Sequence, residues 1–320
     1  MDVLTDVLST MRVSSVLYGR IEAAAPWGIS FTVQHVLKFC LVARGSCYLT
    51  MAGGEPVALS EGDFVLTSSG AKYSICDFPG NPTRPIAEIL HGAGRREGRT
   101  DQGVNTAIQT GGKGLNTSLV NGLLAFDTPD KAYFLDLLPQ LIIIRQEQAE
   151  RLGFAIYMQR LSIESADPSP GAQLVANWLG GIVFVHALRA YAALENGKNS
   201  GWLGALSDRK IAIALDAMHQ QLAHAWTVQQ LAELAGMSRS GFAEWFKRGV
   251  GKAPLDYLTD WRMHVAKRAL WEGKQKLSQI AADVGYGSDT AFSKAFKSRT
   301  GTTPTEYRAL KSQQGLAMSQ

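Results

Sequence analysis

The sequence predicts an α+β chain of two domains, an N-terminal antiparallel β-barrel with flanking helices and a C-terminal all-α domain built from two helix-turn-helix units. Three observations predict it. One helical pattern is written twice in the C-terminal third, a β-rich texture fills the first half, and positive charge gathers at the C-terminal end. A chain of 320 residues is too long for one compact core and ample for two.

The doubled pattern is the strongest of the three. Its first copy, WTVQQLAELAGMSRSGFAEWFKRGVGKAPLDYL, runs from Trp226 to Leu258, and its second, LSQIAADVGYGSDTAFSKAFKSRTGTTPTEYRAL, from Leu277 to Leu310. In the first, Val228, Leu231, Ala232, Leu234 and Ala235 fall on one helical face. Gly236 suits a left-handed exit from that helix, and Ser238 is placed to cap the next. There Phe242, Trp245 and Phe246 are expected to pack inward, leaving Arg239, Ser240, Ala243, Glu244 and Lys247 outside. The second copy repeats the scheme, with Ile280, Ala281 and Val284 inward, Gly285 as the break, Ser288 as the cap and Phe292 and Phe296 inward. Its outer face carries Asp289, Thr290, Ser293, Lys294 and Lys297. One such hairpin is unremarkable in a helical core, but two in matched register point to helices presented to the DNA major groove.

The segment between the copies, residues 255 to 272, reads as one amphipathic helix with Leu255, Leu258, Trp261, Val265, Ala269 and Leu270 near one stripe. A helix of about 17 residues is roughly 26 Å long. That length approaches the roughly 34 Å between successive major grooves on one side of a duplex, so the two units are expected to engage adjacent grooves together.

From about residue 207 to 311 the chain resembles the DNA-binding domain of the AraC/XylS family of bacterial transcription regulators. MSRSGFAEWFKRGVGKAPLDYLTDWRMHVAKRAL and AFSKAFKSRTGTTPTEYR carry the resemblance. It implies that the outer faces of the two second helices read bases, with Ser240, Ala243 and Glu244 beside Arg239 in the first copy, and Asp289, Thr290, Ser293 and Lys294 in the second. The first face is poor in long donors. Glu244 suits a cytosine amino group and Ala243 a thymine methyl. Charge agrees with the assignment. Residues 206 to 311 hold sixteen Lys and Arg against ten Asp and Glu, a net of +6, while the remainder of the +4 chain is slightly acidic.

The first half reads differently. After an amphipathic helix over residues 1 to 14, short β-rich runs such as SFTVQHVLKFCLVA, GSCYLTM, PVALSEGDFVLTSS and KYSICDF are punctuated by Gly, Pro and Asp. Such spacing implies a small barrel or jelly roll. PWGISF, the LSEGDFVL strand pair and LLPQLIII resemble the cupin-like sensor domain of one branch of the same family. Catalytic cupins hold a metal with converging His and carboxylate ligands. Up to residue 160 the only histidines are His35 and His91, neither with a partner at HxH spacing, and Tyr73 stands where the family pattern often has His. No metal and no cofactor is expected. Glycine-rich GAGRREG and GGKG lack the strand-to-helix context of a phosphate cradle, and Arg95, Arg96 and Arg99 read as a solvated loop.

These readings divide the chain into a cupin-like sensor (1–160), a helical linker (161–205), the reader domain (206–312) and a tail (313–320). The linker helix over residues 173 to 194 puts Leu174, Trp178, Ile182, Val185 and Leu188 on one broad face. It serves either as a homodimer contact or as packing on its own barrel. No run of 18 apolar residues suggests a membrane span, the N-terminus lacks a basic segment of a secretory signal, and three cysteines without CxxC spacing fit a reducing cytoplasm. The expected function is a cytoplasmic, sequence-specific DNA-binding regulator, an activator rather than an enzyme. Its expected partners are double-stranded DNA, RNA polymerase, a small-molecule effector and a second copy of itself. Two alternatives stand beside it: a redox sensor using Cys40, Cys47 and Cys76, and a cupin enzyme tethered to DNA.

Overall fold

The computed structural model describes residues 3–9, 13–34, 36–92, 107–126, 135, 138–164, 169–194 and 202–309. Contacts group them into two compact units. One is built on residues 13–126 and 138–194; the other joins residues 202–309 to the N-terminal helix.

The first unit is a two-sheet β-structure. Its strands are β1 (Val13–Ala24), β2 (Gly28–Thr32), β3 (Leu37–Arg44), β4 (Ser46–Met51), β5 (Val57–Ser60), β6 (Phe64–Thr67), β7 (Lys72–Cys76), β8 (Arg84–Pro85), β9 (Ile108–Gly111), β10 (Asn116–Phe126) and β11 (Leu141–Ile144). One sheet has the order β11-β6-β3-β10-β1-β9 and the other β5-β4-β7-β2-β8. The all-antiparallel expectation fails at two edges, where β9 pairs parallel with β1 and β8 parallel with β2. Each of these pairs joins strands far apart in the sequence, which local periodicity does not reveal. The predicted turns hold. Gly53 and Gly62 have φ of +77° and +84° on either side of β5, where the chain reverses between strands.

Side chains from both sheets meet in one apolar core that includes Trp27, Ile29, Phe31, Cys40, Val42, Leu49, Val65, Tyr73 and Ile75. Tyr73 stacks on Phe31 at 4.8 Å, and the buried Lys38 sets its ammonium 5.1 Å from the same Phe31 ring. Gly122 of β10 lies opposite Phe39 of β3, and a Cβ there would fall 2.2 Å from the Phe39 ring. Only glycine allows that approach.

Helix α2 (Ile86–Gly92) follows β8, and α3 (Gln146–Arg151) and α4 (Ala155–Glu164) follow β11. The buried Asp63 fastens the start of α3. Its carboxylate accepts from the backbone N–H of Ser60 at 3.0 Å and of Gln146 at 3.0 Å, and pairs with Arg145 at 2.7 Å. Helix α5 (Ala172–Leu194) is long and apolar enough by composition to cross a membrane over Leu174–Ala193. Its Ala176, Val183, Phe184, Ala187 and Leu188 are buried, and it packs on β1 and β11, so it is the core helix of this unit. The expected single face is therefore split. Leu188 is buried, whereas Leu174, Trp178 and Ile182 are 51%, 65% and 40% exposed and form an outward stripe at helical spacing.

The second unit is helical. It comprises α1 (Val3–Ser9), α6 (Trp202–Ala205), α7 (Arg209–Gln220), α8 (Val228–Leu234), α9 (Arg239–Val250), α10 (Pro254–Glu272), α11 (Leu277–Asp283) and α12 (Asp289–Thr300). The N-terminal helix is shorter than expected and packs on α7 with Val3 and Val7 buried. Asp6 accepts from or pairs with His219 Nδ1 at 2.7 Å, and His219 Nε2 lies 2.8 Å from the Tyr257 hydroxyl. Trp261 stacks on the same imidazole at 4.4 Å. Asp208 caps α7 through the N–H groups of Lys210 and Ile211.

Candidate nucleic-acid interface

Each helix-turn-helix is assembled by the local signals its sequence carries. In the first, Thr227 and Gln230 form a reciprocal cap at the start of α8. Leu231, Ala232 and Ala235 are buried, Gly236 leaves the helix at φ +62°, and the Ser238 hydroxyl accepts from the Gly241 N–H at 3.3 Å to start α9. Phe242 and Phe246 are fully buried with ring centroids 5.6 Å apart. The left-handed Gly251 ends the helix, and Pro254 opens the next.

The second copy follows the same plan. Ile280, Ala281 and Val284 are buried, Gly285 turns at φ +81°, and Ser288 accepts from the Ala291 N–H at 3.2 Å. Phe292 and Phe296 are buried at the same 5.6 Å separation, and Gly301 ends α12 in the left-handed conformation. Ser238 and Ser288 are thus both caps, and the two Phe pairs hold both second helices by the same face.

Two apolar residues expected inside are not. Trp245 is 38% exposed, its indole N–H donating to the Asp208 carboxylate at 2.7 Å while the Arg248 guanidinium lies 4.3 Å over its ring. Phe242 and Phe246 fill the inner face between them, so a third aromatic on that helix is displaced to the flank, where a carboxylate satisfies its N–H. Leu234, at the end of α8, is 46% exposed.

The connector also departs from expectation. Helix α10 spans 19 residues, about 28 Å. It is buried on two faces rather than one stripe, because it serves a core at each end. Tyr257 packs edge-on to Phe246 at 5.9 Å toward the first copy. Met263, Ala266 and Leu270 join Ile280, Phe292 and Phe296 toward the second. Leu255, counted on the expected stripe, is 39% exposed. The helix is also tied down by charge. Arg299 of α12 pairs with Asp256 at 2.8 Å and Asp260 at 3.1 Å, and Lys252 pairs with Asp260 at 2.8 Å. The Asp256 hydrogen bond leads the causes that hold the Arg299 guanidinium above its usual pKa. Arg262 donates to the carbonyls of Leu222 at 2.9 Å and His224 at 2.7 Å, and burial there lowers its pKa from the ordinary arginine value. These two arginines, with no signal in the local pattern, serve as scaffold.

The residues singled out in the sequence lie on the outer faces. Arg239, Ser240, Glu244 and Lys247 are exposed on α9, with Ala243 half-buried beside them. Asp289, Thr290, Lys294 and Lys297 are exposed on α12, with Ser293 half-buried. Such faces offer donors and acceptors of the kind that meet base edges and phosphates.

The barrel unit holds the other candidates. His91 is exposed and His35 lies outside the described residues, as do Arg95, Arg96 and Arg99. Among the described residues no group of three or more His, Cys, Asp or Glu is placed to hold a metal ion. Cys40, Cys47 and Cys76 are all buried free thiols. Burial, then the neighbouring Cys76 and Asp63, pushes the Cys47 thiol up to about 12; burial likewise raises Cys40 and Cys76.

Two helix-turn-helix units on one connector helix define a DNA-binding protein. Residues 231–310 match the helix-turn-helix domain family, and residues 2–193 match the cupin family. A putative AraC-like transcription regulator of Streptomyces antibioticus is 35% identical over 96% of this chain and 98% of its own length. The HTH-type transcriptional regulator AlkR of Acinetobacter baylyi is 29% identical over 96% of this chain and 99% of its own. Among solved structures, the DNA-binding domain of AdpA in complex with a target DNA is 30% identical, covering 30% of this chain and 87% of that one with a TM-score of 0.29. The chain belongs to the AraC family of DNA-binding transcription regulators, with a cupin-type N-terminal domain.

Proposed function

We propose that this regulator is a cytoplasmic activator, without enzymatic activity, that binds its operator through α9 and α12 in adjacent major grooves. The observation that carries the reading is the pairing of two outward polar helix faces, each held from behind by a buried Phe pair, on a single connector about 28 Å long. In this reading Ser240, Ala243 and Glu244, with Arg239 beside them, select bases in one groove and Asp289, Thr290, Ser293 and Lys294 in the other, with Lys247 and Lys297 completing the two contacts. A small-molecule effector received by the barrel unit changes how the readers engage DNA, and RNA polymerase is the protein partner at the promoter. In the same reading sensor, linker and reader meet at residues 160 and 205, with the linker helix α5 packed on the barrel unit. A second copy docks on the Leu174, Trp178 and Ile182 stripe, whose exposed apolar side chains suit a helix-on-helix contact.

The redox alternative gains no support from the thiols. The thiolate is the reactive form, and burial holds Cys40, Cys47 and Cys76 as neutral thiols at physiological pH. The test of the main reading is the binding of the full chain, wild type and Lys294→Ala, to a panel of single-base operator variants. Loss of discrimination at one or two positions is expected. Equal weakening at every variant would move Lys294 from base reading to phosphate contact.

A further inference from the structure

The barrel unit carries a cleft of about 540 Å³ on the outside of β3, walled by the Glu61–Gly62 turn and by α3 and α4. That is the size of a site for a small organic molecule. Its floor is apolar, from Leu41 of β3 and Met158 of α4, and Ile156 stands 66% exposed at its lip. The walls are held in place. Asp63 ties the turn to the first residue of α3, and the Gln146 side chain lies so close over Gly62 that a Cβ there would come within 2.6 Å of it.

The charge of this cleft has one sign. Glu61 on the turn and Glu150 on α3 line it, and among the described residues that line it none is Lys, Arg or His. Its other polar liners are side-chain amides and a hydroxyl. An anion entering it would meet two carboxylates with no counter-charge. A hard divalent metal needs about six oxygen ligands, which two exposed carboxylates on separate elements do not supply. An organic cation meets both demands, placing its apolar body against the exposed Ile156 over the apolar floor and its charge between the carboxylates. We propose that this cleft is a binding site for a small organic cation, an ammonium group carried on an apolar body. The proposal concerns the barrel unit alone and does not rest on the DNA-reading assignments.

The experiment is a calorimetric titration of the full chain, without DNA, with benzyltrimethylammonium and with its uncharged counterpart of the same shape, neopentylbenzene. The cation should bind saturably at one site and the neutral compound at least about tenfold more weakly. Replacing both carboxylates (Glu61→Gln with Glu150→Gln) should weaken cation binding about fivefold, the worth of two exposed charge contacts. Ile156→Lys, which puts a positive charge at the lip, should abolish it. All three side chains are exposed, so melting temperatures should stay at the wild-type value. If the double variant nevertheless melts early, Ile156→Lys decides alone. The proposal is overturned by absence of saturable cation binding, by equal binding of the neutral compound, or by undiminished binding to either variant. It is also overturned if the chain instead doubles its mass with concentration and Ile156→Lys abolishes that, which gives the cleft to a second copy.

Discussion

The two helix-turn-helix units are the same object from behind and different objects from the front. Behind, each has a buried Phe pair 5.6 Å apart, a Ser cap and a left-handed Gly on both sides of its second helix. In front, α9 shows Arg239, Ser240, Glu244 and Lys247 with a flank of Trp245, Arg248 and Asp208 knitted together. The α12 face shows Asp289, Thr290, Lys294 and Lys297, and its flanking Arg299 is spent on Asp256 and Asp260 of the connector. Packing fixes how each helix is presented, while the sequence is free to vary what it presents.

The two rear faces should answer truncation alike. Phe246→Ala and Phe296→Ala should each cost about 3–5 kcal/mol of folding stability, by cavity formation in equivalent cores. Denaturant melts of the two variants should agree to within about 1 kcal/mol, and a gap of several would break the equivalence of the two rear faces.

The turns should behave less alike. Ala at Gly236 enters open space and bears the left-handed backbone cost alone, about 1–2 kcal/mol. At Gly285 an added Cβ would also stand 2.7 Å from the Ala223 carbonyl, a backbone atom that cannot swing aside. Gly285→Ala should therefore be the costlier of the two, and similar losses in a thermal scan would show that the second turn is looser than it looks.

The front faces are separated by binding. Lys294→Ala should remove about 1–3 kcal/mol of discrimination at one or two base pairs while leaving the melting temperature unchanged. Glu244→Ala should relax discrimination in the other half of the site, and by less, because a single acceptor there stands beside Ala243. Quantitative binding to single-base operator variants reads both.

The smallest effect is reserved for the flank. Arg299→Ala should cost no more than about 1 kcal/mol of stability, since its ion pairs are exposed to solvent. It should leave the slope of affinity against salt unchanged, because Arg299 is spent on the connector rather than on phosphate. A shallower slope in this variant would place Arg299 on the DNA.

Much of this was legible in the chain because the signals are local. Ser238 and Ser288 stand three residues before the N–H groups they cap, and Phe242/Phe246 and Phe292/Phe296 are one helical turn apart. What was not legible depends on partners distant in sequence. Trp245 reads as core until Asp208, 37 residues away, supplies an acceptor for its indole. The double burial of α10 needs both flanking cores, and the hold of His219 on Asp6 spans 213 residues. In the barrel unit, turn residues marked the strands, but the parallel edges β8 and β9 and the anchoring of α3 by Asp63 and Arg145 are contacts between segments far apart in the sequence.

Both front faces are expected to read DNA at once. Hydroxyl-radical footprinting of the full chain on the DNA upstream of its own gene measures this directly. Two protected patches about 10 base pairs apart on one side of the duplex are expected for each bound copy. A single protected patch per copy, or protection that does not prefer this region to random duplex, would contradict it.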